Sequence, residues 1–215
     1  MYAHNKIIVI DNFYDDPDQV REVALQQEYL PCNEPSMSGN WPGYRSRKFL
    51  HNIDETIFNE FRNKLLDNLL WNNPVKYEGY IETNFQVCLE ENGDSWVHYD
   101  RGPMEITHVG VVYLNPNPPS NSGTIIYDFN EEHRAEWMEY SNNEQDLWFT
   151  LNRKDDLERF NKFFTENITI PNKYNRCIIY GPWRWHKSDQ YFGHNLETGR
   201  MIQPFFCRIK FNDNE

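Results

Sequence analysis

The chain has no apolar run approaching the roughly 18 residues that a membrane span requires, and among its 215 residues there are four cysteines with no CxxC pair. The first absence excludes a spanning helix. The second argues against a cysteine-based zinc site, and Cys88, Cys177 and Cys207, in the apolar runs "FQVCL", "RCIIY" and "FFCRI", read as buried free thiols of a reducing compartment. Positive charge is also scarce. With 21 Lys and Arg against 33 Asp and Glu, the net charge is −12, so the surface repels polyanions, and neither nucleic acid nor membrane is expected as a partner. The apolar stretch of "MYAHNKIIVIDNF" is too short, and too soon followed by acids, for a signal peptide. With no linker-like stretch, repeat or low-complexity segment, a single cytoplasmic domain over 1–215 is expected.

Aromatic side chains are abundant, at 16% of residues, enough bulk for a substantial core and for stacking surfaces around a pocket. "KIIVID" is β-rich, and Asp16 followed by Pro17 opens a helix with Val20, Val23, Ala24 and Gln27 at helical spacing. Residues 30–43 collect Pro, Gly, Ser and Asn, predicting an irregular loop in which Trp41 is either a lid or an anchor. From Asp54 to Trp71, Ile57, Phe61, Leu65 and Leu69 recur four apart, widened by Phe58, Leu66 and Leu70, as in a core-facing helix. After Pro74 come short β-branched and aromatic runs: "TNFQVCLE", "WVHYD", "THVGVVYLN", "GTIIYDF", "RCIIYGPW" and "MIQPFFCRIKF". The expectation is a mainly β (α+β) chain, a jelly roll with flanking helices. The helical flank covers about 1–75 and the core about 76–215. A helical insertion at about 130–170, outside the β-core, is signalled by Leu157, Phe160, Phe163 and Phe164.

In "SWVHYDRGP", strand periodicity would put His98 and Asp100 on one face and Tyr99 on the other. An imidazole and a carboxylate suit a divalent first-row metal, and a second histidine would complete the two-His-one-carboxylate set used by Fe(II) oxygenases. His4, His51 and His133 sit in terminal, loop or charged helical settings and read as surface residues, whereas His108 either faces the interior of the core or is a hydrogen-bonded core histidine. His186 and His194 both follow "CIIYGPW"; His186 directly continues that run and is preferred, while His194 lies among turn residues.

These segments resemble the 2-oxoglutarate/Fe(II)-dependent oxygenases, in particular the prolyl-4-hydroxylase-like branch. The resemblance runs over about 84–210, through "HYD", "GVVYLN", "GTIIYDF", "RCIIYGPWRWHKS" and "GRMIQPFFCRIKF", with "VIDNFYDDPDQVREVAL" and "PGYRS" similar to the lead-in of uncharacterised relatives. It implies a double-stranded β-helix and Fe(II) held by His98, Asp100 and His186. The cosubstrates implied are 2-oxoglutarate and O2, with ascorbate as a possible additional requirement. It also implies a basic residue, soon after the distal histidine, that grips the far carboxylate of 2-oxoglutarate. Arg200 follows His186 by the same interval that separates Arg208 from His194, and Arg200, at a strand start, is preferred. Tyr113 or Thr124 would offer a hydroxyl to the cosubstrate, and Gln86 or Tyr180 would line the pocket. Related halogenases lack the carboxylate ligand, so Asp100 favours hydroxylation. Cys88, Leu89 and Glu90 stand where prolyl hydroxylases often have a tyrosine.

Two rival readings remain at this point, a cupin-like metal oxygenase that uses no 2-oxoglutarate and a catalytically silent binding or structural jelly roll. The substrate expected is peptidyl or a small molecule, the acidic balance suiting a neutral or basic one. Trp41, Trp183 and Trp185 are either a recognition rim or core anchors.

Overall fold

The structure, a computed structural model, describes residues 6–31, 41–70, 77–100, 105–143 and 160–211. Two antiparallel sheets face each other without closing into a barrel. The major sheet has the order β1 (Ile8–Ile10), β9 (Cys177–Tyr180), β6 (His108–Tyr113), β11 (Arg200–Phe211), β5 (Gln86–Cys88), β3 (Tyr44–Ser46), β2 (Tyr29–Pro31), and β4 (Tyr77–Thr83) pairs with the far half of β11. The minor sheet is β10 (Trp185–Ser188), β7 (Thr124–Phe129), β8 (Phe164–Ile170). This is the jelly-roll-type, mainly β architecture expected from the sequence.

Two-residue alternation sorts the side chains of the central strands. Val112, Leu114, Cys177, Ile179, Met201 and Phe205 face helices α1 (Pro17–Leu25), α2 (Leu50–Ile53) and α3 (Glu55–Leu70), where they bury Val20, Ala24, Leu50, Ile57, Phe61 and Leu65. Val109, Tyr113, Ile178, Tyr180 and Ile202 face the other way, onto Ile126 and Ile170 of the minor sheet. Helix α1 starts as its sequence requires: Asp16 Oδ1 accepts from the Gln19 N–H at 3.0 Å and Pro17 occupies the first turn. Helix α3 turns Ile57, Phe61 and Leu65 inward, each full burial worth about 2 kcal/mol of removed apolar surface.

Gly110 on β6 lets this layer close. A Cβ there would stand 1.9 Å from the Ile178 carbonyl oxygen and 2.5 Å from Phe205 Cζ, and the Phe205 ring in turn packs edge-on against Phe61 at 5.2 Å. We expect Gly110→Ala to lose about 2–4 kcal/mol, read as a lowered urea midpoint at unchanged slope. A midpoint within about 0.5 kcal/mol of wild type would contradict this packing.

One expectation fails between 130 and 170. Helix α4 (Arg134–Asn143) lies there, and Leu157 lies outside the described residues, but Phe164 opens strand β8 instead of continuing a helix. Phe160, Phe163 and Phe164 pack with Val97, Ile125 and Tyr127 on the outer face of the minor sheet, with Trp137 and Trp185 alongside. The aromatic spacing that suggested a helix stripe covers a sheet. Cys88, Cys177 and Cys207 are buried free thiols as expected, and Cys32 lies outside the described residues. No described helix is long and apolar enough to cross a membrane.

Candidate metal centre

The segment 96–100 is not the regular strand its alternation suggested. His98 forms an isolated antiparallel bridge with His186, the N–H of each donating to the carbonyl of the other at 2.9 and 2.7 Å. Two residues on, the Asp100 N–H donates to the Pro182 carbonyl at 2.9 Å. That carbonyl sits in the turn joining β9 to β10, closed by the Arg184 N–H on Gly181 O at 3.0 Å, with Pro182 supplying a fixed φ. Strand β10 brings His186 opposite Ile126 of β7, whose side chain faces inward between the sheets.

His98, Asp100 and His186 each offer one ligand atom within 4.8 Å of the others. Among the described residues this is the one group of three or more such side chains. His98 Nε2 lies 3.8 Å from Asp100 Oδ1 and His186 Nε2 lies 3.3 Å from Asp100 Oδ2. The opposite ring nitrogens are committed. His98 Nδ1 meets the Trp96 carbonyl at 3.0 Å and His186 Nδ1 meets the Arg184 carbonyl at 2.9 Å. A carbonyl only accepts, so Nδ1 carries a proton in both rings, and Nε2 is the ring atom that each turns towards the carboxylate. Two Nε2 atoms and a carboxylate converging on one point form a donor set for a cation, and the tethered Nδ1–H is the backing that metal-bound histidines have.

The protonation balance reflects the same crowding. Burial, helped by neighbouring His186, lowers His98 to about 4. Burial alone would also lower His186, but the Asp100 carboxylate raises it overall. Asp100, which burial would raise, is held below its ordinary value by the two imidazoles, His186 foremost.

Further along the interior, Arg200 is 1% exposed. Its Nε and Nη2 donate to the carbonyls of Ser122 and Gly123 at 2.8 and 3.1 Å, while Nη1 is buried with no hydrogen-bond partner among the described residues. Its guanidinium carbon lies 5.6 Å from the centroid of the Tyr113 ring, and the Tyr113 hydroxyl bonds Thr124 Oγ1 at 2.7 Å. The three residues expected to contact a cosubstrate are therefore neighbours. Ser188 pairs with Thr124 and His186 with Ile126, so Arg200 and Thr124 sit about 7 Å along β7 from the level of the histidine. Tyr180 packs edge-on against the His186 ring at 4.8 Å.

The alternatives separate spatially. His194 is exposed and pairs with Glu90 at 3.6 Å, and Arg208 pairs with Glu105 at 2.8 Å on the surface. His51 is exposed and stacks on Phe49, and His133 pairs with Glu136, while His4 lies outside the described residues. His108 is half-buried, its Nδ1 3.0 Å from Thr107 Oγ1. Trp41 is buried, Trp183 is 53% exposed, and Trp185 joins the aromatic cluster outside the minor sheet. Arg45 was not among the sequence candidates. Its Nε donates to Gln86 Oε1 at 2.8 Å on the inner face of the major sheet. The alternation within "YRS", which opposes Arg45 to the buried Ser46, was the available signal.

A family model described as "Family of unknown function (DUF6445)" matches residues 2–203. No curated protein matches the chain. Among solved structures, a Pseudomonas putida prolyl-4-hydroxylase is similar at 12% identity and a TM-score of 0.53, over 96% of this chain and 94% of that one. HygX from Streptomyces hygroscopicus, solved with nickel and 2-oxoglutarate bound, is similar at 10% identity and a TM-score of 0.52, over 94% and 82%. A structure of prolyl 4-hydroxylases from Phytophthora capsici matches at 12% identity and a TM-score of 0.51, over 97% of this chain but only 60% of the other. The fold is that of the 2-oxoglutarate/Fe(II) oxygenases, prolyl-4-hydroxylase-like.

Proposed function

We propose that this chain, which belongs to DUF6445, a family of unknown function, is an Fe(II)- and 2-oxoglutarate-dependent dioxygenase that hydroxylates a peptidyl or small-molecule substrate. The observation that carries the reading is the convergence of His98, Asp100 and His186, with both Nδ1 atoms already committed to backbone carbonyls. Two imidazoles and one carboxylate are the donor set of non-haem Fe(II) oxygenases and leave positions open for further ligands. Bound there, the metal and its cosubstrate would supply oxidative decarboxylation of 2-oxoglutarate to succinate and CO2, coupled to oxygen insertion into a C–H bond.

The protein's part is positioning. His98 and His186 would present Nε2 to the metal and Asp100 one oxygen, while the His98–His186 backbone bridge keeps the two rings at a fixed separation of 4.3 Å between centroids. Arg200 would take the far carboxylate. Its Nη1, without a partner among the described residues, is a buried charged donor whose desolvation costs about 1–3 kcal/mol until an acceptor arrives, and Tyr113 and Thr124 add hydroxyls beside it. This buried donor favours the oxygenase over a cupin-like enzyme with no use for 2-oxoglutarate. Ile126, Ile178 and Ile202 line the same interior, keeping water from the reacting centre.

The test is succinate formation from 2-oxoglutarate by the purified chain with Fe(II) and ascorbate. Succinate above the metal-free control supports the reading. If none forms and calorimetry of the Mn(II)-loaded chain detects no 2-oxoglutarate binding, the reading is wrong.

A further inference from the structure

We infer that Asn115 and Asn172, two buried asparagines that are neither metal ligands nor cosubstrate contacts, are positioning residues holding Arg200 in the orientation from which it grips the far carboxylate of 2-oxoglutarate. The inference rests on the oxygenase reading. Arg200 is the first residue of β11, where the sheet around it is only half built. On one side β5 pairs with it at Cys88. On the other, the register of β6 ends at Tyr113, opposite Ile202, and the Leu114 N–H donates to the Met201 carbonyl at 3.1 Å. Asn115 continues from there with its side chain. Its Nδ2 donates to the Gly199 carbonyl at 2.8 Å and its Oδ1 accepts from the Met201 N–H at 2.7 Å. One amide therefore fastens both peptide groups that flank the Arg200 Cα. The pattern calls for asparagine, because a carboxylate of the same shape accepts without donating and leucine does neither.

The guanidinium end is held by a second set of bonds. Nε and Nη2 donate to the carbonyls of Ser122 and Gly123, so where those carbonyls stand decides where Nη1 points. Asn172, just beyond β8, holds the first of them: its Nδ2 lies 3.2 Å from Ser122 Oγ and 3.5 Å from the Ser122 carbonyl oxygen. Ser122 Oγ donates in turn to the Pro119 carbonyl at 2.7 Å. Gly123 is pressed against the same segment, since a Cβ there would stand 2.0 Å from the Ile170 carbonyl oxygen and 2.8 Å from the Asn172 nitrogen. Backbone and guanidinium are thus fixed from separate elements, by Asn115 after β6 and by Asn172 after β8, and both asparagines are buried, at 4% and 6% exposure. A long, flexible side chain gains most from such a hold: the freedom it would lose on meeting an anion is already lost on folding.

The test is calorimetry of 2-oxoglutarate titrated into the full Mn(II)-loaded chain, with Asn115→Ala and Asn172→Ala each made in the wild-type and in the Arg200→Gln background. Each should weaken 2-oxoglutarate binding by about tenfold in the first background and by less than about twofold in the second, with Mn(II) affinity unchanged. That dependence on Arg200 is what a merely structural role would not give. Wild-type 2-oxoglutarate affinity in either folded variant overturns the inference, as do equal losses in the two backgrounds or a parallel loss of Mn(II). Far-ultraviolet circular dichroism shows whether each variant folds; if one does not, the other decides, and if neither does, the role is structural and the inference falls. Absence of 2-oxoglutarate binding to the wild-type chain instead brings down the oxygenase reading, and this inference with it.

Discussion

His186→Ala should cost the chain its metal, with Mn(II) affinity falling by at least about 100-fold, and succinate formation should drop to the level of the metal-free control. Alanine removes one of the three proposed ligands and leaves Asp100 facing a single imidazole; disturbing only the outer partners of metal ligands already costs about 10–100-fold. His194→Ala, at an exposed position paired with Glu90, should change neither quantity. Titration of Mn(II) followed by its electron spin resonance signal reads the affinity directly. Equal affinities for wild type and His186→Ala would remove His186 from the site. A loss in His194→Ala instead would restore the alternative left open by the sequence.

Arg200→Gln should weaken 2-oxoglutarate binding by about 100-fold, close to 2.7 kcal/mol, while Mn(II) affinity stays unchanged. The split between the two ligands distinguishes a cosubstrate contact from general damage. Some damage is expected, because Arg200 also holds the Ser122 and Gly123 carbonyls just before β7, and the loss of these bonds should lower stability by about 2–3 kcal/mol. Arg200→Lys keeps the charge but not the planar fork, and should fall between wild type and glutamine in 2-oxoglutarate affinity. If calorimetry of the Mn(II)-loaded variant gives wild-type 2-oxoglutarate affinity, the buried Nη1 serves something else.

Much of this site was legible because its chemistry is local. His98 and Asp100 stand two apart, and the two-residue alternation that suggested a shared face holds although only a single bridge forms there. His186 was separable from His194 because it continues an apolar strand run, and the structure buries the first and exposes the second. The tie between Arg45 and Gln86 was less legible, because Arg45 lies half-buried in a three-residue strand next to a Pro- and Gly-rich loop and its partner stands 41 residues away. The failure at Phe160, Phe163 and Phe164 has a different cause. Their spacing fits a helix stripe, but in β8 only the two ends, Phe164 and Ile170, are buried, so the exposed middle gave no strand alternation to compete with it.

The backbone bridge between His98 and His186 joins points about 90 residues apart in the chain. Closing a loop of that length carries an entropic cost that must be met before either ring has its partner. Ligation of one ion by all three side chains would therefore have to wait until the two halves of the β-core have met. An ion that binds only that closed state adds its binding free energy to the stability of the whole, about 2.7 kcal/mol at a hundredfold excess over its dissociation constant. If the proposed site takes Fe(II), the supply of that ion would then bear on the stability of the chain as well as on its activity.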